Sequence, residues 1–103
     1  MDSANLDYTL GVALVPDRKI ALVTSSNLHK LSVFSYEDSN NLELLSSVAD
    51  STLMNSAFGV SYDNTRDMAV VHARNGNRLT TIDLSDISNM TILGSISSST
   101  YLD

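Results

Sequence analysis

Two histidines, His29 and His72, are the side chains best suited to hold a transition metal, and the chain has no cysteine to complete a thiolate set. Neither histidine has an aspartate or glutamate at the close spacings that zinc sites use, so no metal ligand is assigned. Asp63 closes the apolar run "FGVSYD". A lone carboxylate of that kind gains cation chemistry only where symmetry copies converge on it.

A second group is polar and cationic: Asn27, His29 and Lys30 in "SSNLHK", and Arg74, Asn75, Asn77 and Arg78 in "ARNGNR". No acid lies between Asp17 and Glu37, nor between Asp67 and Asp83, so both stretches are basic islands in an acidic chain. One reading is a rim for carboxylated or sulfated sugars, phosphate groups or an acidic partner loop. The other is purely local: Asn27 and Asn75 are turn residues that tolerate left-handed backbone, and the cations are solvated loop tips.

Signatures of catalysis are missing from the sequence. It contains no Gly-x-Ser-x-Gly elbow, no phosphate-binding glycine loop and no His-Glu pair at helical spacing, so no catalytic residue and no cofactor is assigned. The recurring Asp38 with Asn41, and Asp86 with Asn89, read as turn caps rather than as a ligand site, because a carboxylate there can accept backbone N–H groups.

The 103 residues are 43% hydrophobic and 17% charged, a globular rather than a disordered composition. The net charge of -6 argues against nucleic acid and anionic membranes as partners, since both reward a basic field. No run is long enough to span a bilayer, and "MDSANLDYTL" lacks the basic and apolar regions of a signal peptide. Asn89-Met90-Thr91 fits the N-glycosylation acceptor pattern, a triplet that also arises by chance.

What positions the basic islands is a repeat. Gly11 to Asn55 aligns with Gly59 to Asp103 at an offset of 48 without a gap, matching Gly11 with Gly59, Arg18 with Arg66, Leu31 with Leu79, Asp38 with Asp86 and Leu45 with Leu93. Conservative pairs such as Leu22 with Val70 and Phe34 with Ile82 fill the intervals. Each unit holds short, β-branched runs of strand length: Leu10 to Val15, Ile20 to Thr24, Leu31 to Tyr36 and Leu42 to Val48, then Phe58 to Tyr62, Met68 to His72, Leu79 to Leu84 and Met90 to Ile96. Turn-forming stretches such as "PDRK", "EDSNN" and "DNTRD" bound them. Antiparallel strands in units of this period predict an all-β chain of four-stranded β-propeller blades, the first over 1–57 and the second over 58–103.

Leu79 to Ser95, "LTTIDLSDISNMTILGS", resembles the LVIVD repeat of β-propellers, in which a leucine and alternating apolar residues lead to an aspartate, "SDPSNP", an apolar strand and Gly-Ser. The likeness extends over both copies and is stronger in the second. Ile87 and Met90 replace the two prolines there, Ser39 and Leu42 replace them in the first copy, and Ser35 stands where the second copy has Asp83. The resemblance implies an extracellular or cell-surface location.

In a propeller the first strand of each blade lines a central channel, with Asp63 then at its mouth. The loops joining second to third strands share a face with the blade connections. Complete rings use about four to eight blades. Two blades alone leave apolar faces uncovered, so the chain is expected to close a ring of six or eight blades as a homotrimer or homotetramer, or to be part of a longer propeller. The chain begins and stops in equivalent inter-blade connections, which favours the oligomer. The expected role is non-enzymatic recognition of a protein or glycan, as in a lectin. The rival expectation is a propeller hydrolase with a channel metal.

Overall fold

The computed structural model describes residues 9–74 and 77–97, apart from the side chains of residues 9 and 10. They form eight strands: β1 (Thr9–Val15), β2 (Ile20–Ser25), β3 (Lys30–Ser35), β4 (Glu43–Ala49), β5 (Ala57–Asp63), β6 (Met68–Ala73), β7 (Arg78–Asp83) and β8 (Thr91–Ser97). Two four-stranded antiparallel sheets result, ordered β1-β2-β3-β4 and β5-β6-β7-β8. The strands lie where β-branched runs between turn residues predict them, with ends shifted by a residue or two. A single 3-10 turn at Ile87–Asn89, capped by the Asp86 side chain, was not expected.

Both sheets bulge at corresponding places. The first ladder slips between Thr9 and Gly11 and between Ala57 and Gly59, and the third between Val33 and Phe34 and between Thr81 and Ile82. The bulges add local twist to each sheet.

Alternation along the strands sorts the side chains onto faces. In the first sheet Val15, Ile20, Leu22, Thr24, Leu31 and Val33 share one face, and all are buried. In the second sheet the buried set is Ala69, Val71, Ala73, Thr80 and Ile82, with Val60 and Tyr62 half-buried on the same face. These two faces meet, joined by Met54 from the connecting segment and Ala57 at the start of β5, to form one core cluster. Each fully buried aliphatic side chain stabilises this contact by about 1.5–3 kcal/mol relative to exposure.

The two sheets pack head to tail, because the faces that meet are not equivalent positions. Leu22 and Leu31 correspond to Val70 and Leu79 on the outer face of the second sheet. Val60 and Tyr62 correspond to Val12 and Leu14 on the outer face of the first, which are 64% and 58% exposed.

The first strands approach most closely at Gly11. A Cβ there would sit 2.9 Å from the Phe58 carbonyl oxygen and from Thr24 Oγ1, and 3.1 Å from Gly59 Cα. Only a residue without a side chain allows β1 and β5 to lie this near each other. Thr24 Oγ1 donates to the Phe58 carbonyl at 3.3 Å across the same contact, and Ser46 Oγ donates to the Ile87 carbonyl at 2.6 Å farther out.

Candidate functional site

His29, before β3, and Arg74, after β6, both bond the segment that links the sheets. Asp50 N–H donates to the His29 carbonyl at 3.0 Å, Ser56 N–H donates to His29 Nδ1 at 2.9 Å, and Arg74 N–H donates to the Ser56 carbonyl at 3.1 Å. Residues 50–56 are therefore stitched to the β2–β3 loop on one side and to the residue after β6 on the other.

His29 and Asn77, at equivalent positions, adopt left-handed backbone with φ of 52° and 48°. The expectation that Asn27 would take that conformation is corrected: the left-handed residue is the one that closes the turn into the next strand. Asn75 lies outside the described residues. His29 thus serves the turn with its backbone and the connection with its ring.

The cations of this face differ in setting. Arg74 is exposed, with its guanidinium carbon 5.6 Å from the centre of the Phe58 ring, a cation–π geometry. Arg78 is half-buried, and its Nη1 donates to Ser95 Oγ at 2.9 Å. Lys30 is half-buried at the start of β3. Asp50 adds one acid to the rim. Its Oδ1 accepts the N–H groups of Leu53 and Thr52, both at 2.8 Å, and these bonds, with the Arg78 charge adding to them, hold its carboxyl below the usual carboxylate range. The arrangement offers an anion the exposed Arg74 on an aromatic face.

Asp63 ends β5, the first strand of the second sheet, and its oxygens are engaged. Oδ2 accepts from Arg66 Nη1 at 2.9 Å and Oδ1 from Thr65 N–H at 2.9 Å, and these partners, Arg66 first, lower its pKa. It caps a turn. Asp38 and Asp86 likewise accept the N–H two residues on, at 3.0 and 3.2 Å. Ser35, which replaces the aspartate found at 83, keeps the same bond: its Oγ accepts Glu37 N–H, as Asp83 accepts Ser85 N–H. Among the described residues no three His, Asp or Glu side chains converge as a metal site.

A charged clamp between the sheets was not foreseen. Arg18 Nη1 donates to Asp67 Oδ1 at 2.8 Å and to the Leu84 carbonyl at 3.1 Å, and Tyr62 Oη donates to the same Asp67 oxygen at 2.9 Å. Burial first, then Asp67, raises the Tyr62 pKa. The one signal in the sequence is a mismatch: Arg18 recurs as Arg66, whereas the position of Asp67 is Lys19 in the first copy.

The second sheet's outer face carries an open depression of about 320 Å³ lined by Val70, Leu79, Thr81, Gly94, Ser95 and Ile96. Every one corresponds to a residue of β2, β3 or β4 in the first sheet, and the first three to residues of its buried face: Leu22, Leu31 and Val33, each 0% exposed.

No protein-family model matches the sequence, including any for the LVIVD repeat that Leu79 to Ser95 resembles. No functionally curated protein matches it either. Solved structures do resemble the fold. Sqt1 of Saccharomyces cerevisiae aligns with a TM-score of 0.74 at 6% identity, over 91% of this chain and 24% of its own. A Bacteroides uniformis protein provisionally assigned as a 6-phosphogluconolactonase aligns at 0.73 and 12% identity, over 91% and 27%. A Desulfotomaculum acetoxidans protein of unknown function aligns at 0.75 and 16%, over 89% and 29%. At these identities the likeness concerns the fold alone: all-β and propeller-like. The chain spans about a quarter of the length of each of these structures.

Proposed function

We propose that the chain supplies two adjacent blades of a ring-shaped, non-enzymatic recognition scaffold. The observation that carries this reading is that each open sheet face holds, position for position, the counterparts of a face buried in the contact between the sheets. Val12 and Leu14 stand in for Val60 and Tyr62, and Val70 and Leu79 for Leu22 and Leu31. Blades docked on both sides would bury what is now exposed. They could be copies of the chain, three for six blades or four for eight, or further blades of a longer polypeptide. The quarter share of the matched structures favours the longer ring.

Recognition then falls to the loop face, where Arg74, Arg78, Lys30 and Asn77 gather around the pinned connection. Ligands of matching chemistry are carboxylated or sulfated glycans and acidic protein loops. Binding to an array of anionic glycans and acidic peptides tests this, with loss on Arg74→Ala as the expected result. Undiminished binding by Arg74→Ala and Arg78→Ala would overturn the assignment of the face.

A catalytic reading has one observation in its favour, the fold likeness to the provisionally assigned lactonase. It needs acids converging at the axis, and the inner strands offer Asp63, already bound by Arg66. Lactone turnover dependent on Asp63 would establish it.

A further inference from the structure

The two open faces are unequal, and the contact between the sheets is the standard that separates them. On the first sheet, Val12, Ala21 and Val23 repeat Val60, Ala69 and Val71 of that contact, while Leu14, Phe34 and Leu44 stand for Tyr62, Ile82 and Ile92. The row stays apolar throughout. Yet Val12, Leu14 and Leu44 are 64%, 58% and 40% exposed, so side chains suited to a packed contact have no cover.

The second sheet's open face departs from its own template, the buried face of the first sheet. Val70 and Thr81 replace the fully buried Leu22 and Val33, and Ser61 replaces Ala13. Gly94 replaces Ser46, whose hydroxyl bonds the Ile87 carbonyl across the internal contact. Only Leu79 and Ile96 keep the apolar character of Leu31 and Val48 among these positions. The losses coincide with the depression that Val70, Thr81 and Gly94 line. A blade docked there as the sheets dock on each other would lose packing contacts, which are what hold such a face.

Resting on the ring reading, we propose that the first sheet's open face docks a further blade presenting an aliphatic row on its second and third strands, as Leu22, Leu31 and Val33 do in the internal contact. The second sheet of another copy does not supply that row, so the partner is a blade outside this chain. The quarter share of the matched structures accords with further blades of this kind.

The test is sedimentation of the wild type and of a triple variant, Val70→Leu with Thr81→Val and Gly94→Ser, each with and without Leu14→Asp. The triple variant gives the second sheet the side chains of Leu22, Val33 and Ser46. A Cβ on Gly94 meets Thr81 Oγ1 no closer than 3.7 Å, an ordinary contact, so the sheet accommodates the change. Leu14 is exposed, so Leu14→Asp leaves the fold in place and sets a charge in the docked contact. The expected result is self-association about ten- to thirty-fold tighter in the triple variant than in the wild type, from the added apolar burial, and its abolition by Leu14→Asp. Wild type that associates as tightly as the triple variant, with both abolished by Leu14→Asp, overturns the proposal and leaves the ring reading intact. Absence of association in the triple variant overturns the proposal as well. Association that survives Leu14→Asp contradicts the ring reading itself, because it runs through another surface.

Discussion

Gly11 and Gly59 are the same residue at the same strand position, and their surroundings separate them. At Gly11 a methyl group would press on the Phe58 carbonyl and Thr24 Oγ1 at 2.9 Å, and the carbonyl cannot retreat without moving a strand. Gly11→Ala is therefore expected to cost about 1–3 kcal/mol, as overpacking does. Gly59→Ala should stay within about 0.5 kcal/mol of wild type. Urea denaturation of the two variants checks the contrast, and equal losses would show that β1 and β5 do not approach as described. Titration adds a second residue-scale expectation. The folded pKa values of Asp50 and Asp63 lie below their unfolded values, so the stability they confer is present above about pH 4 and is lost as pH falls below it. Tyr62 has the opposite sign. Its folded pKa is raised, so its contribution is complete below about pH 10 and lost as pH rises through the folded value. Thermal melts across pH should show both limbs, and Tyr62→Phe should flatten the alkaline one.

At the scale of elements, the strands were legible because β-branched runs of six or seven residues alternate with turn residues, and neither helix periodicity nor length competes. The offset of 48 relates the two sheets strand for strand as well. Turn details were less legible. The left-handed residue is set by which position closes the hairpin, so His29 takes it although Asn27 is the better left-handed former. The clamp between Arg18 and Asp67 joins residues 49 apart and depends on the angle between sheets, which no local pattern encodes. Of the predicted rim, His29's bond to Ser56 was not legible, because it joins a loop to a connection 27 residues on. The connection itself is testable. Met54 is fully buried in the core cluster, so Met54→Ala should cost about 2–5 kcal/mol, measured by chemical denaturation. A loss below about 0.5 kcal/mol would mean that the connection lies on the surface.

For the molecule as a whole, the two sheets form one flat body of 42 × 32 × 20 Å, with a buried contact in the middle and an apolar face on either side. Such faces set the behaviour of the chain more than any single side chain does, because a soluble protein seldom leaves them uncovered. The most direct measurement of this picture is small-angle X-ray scattering of the wild type with mass read in the same run. The prediction is a flattened particle of 11.1 kDa whose radius of gyration lies a few ångströms above the Cα value of 12.9 Å, the excess being side chains and hydration. A markedly larger radius at the same mass would mean that the sheets do not pack, and a mass of three or four chains would mean that copies of the chain, not further blades of a longer polypeptide, cover the open faces.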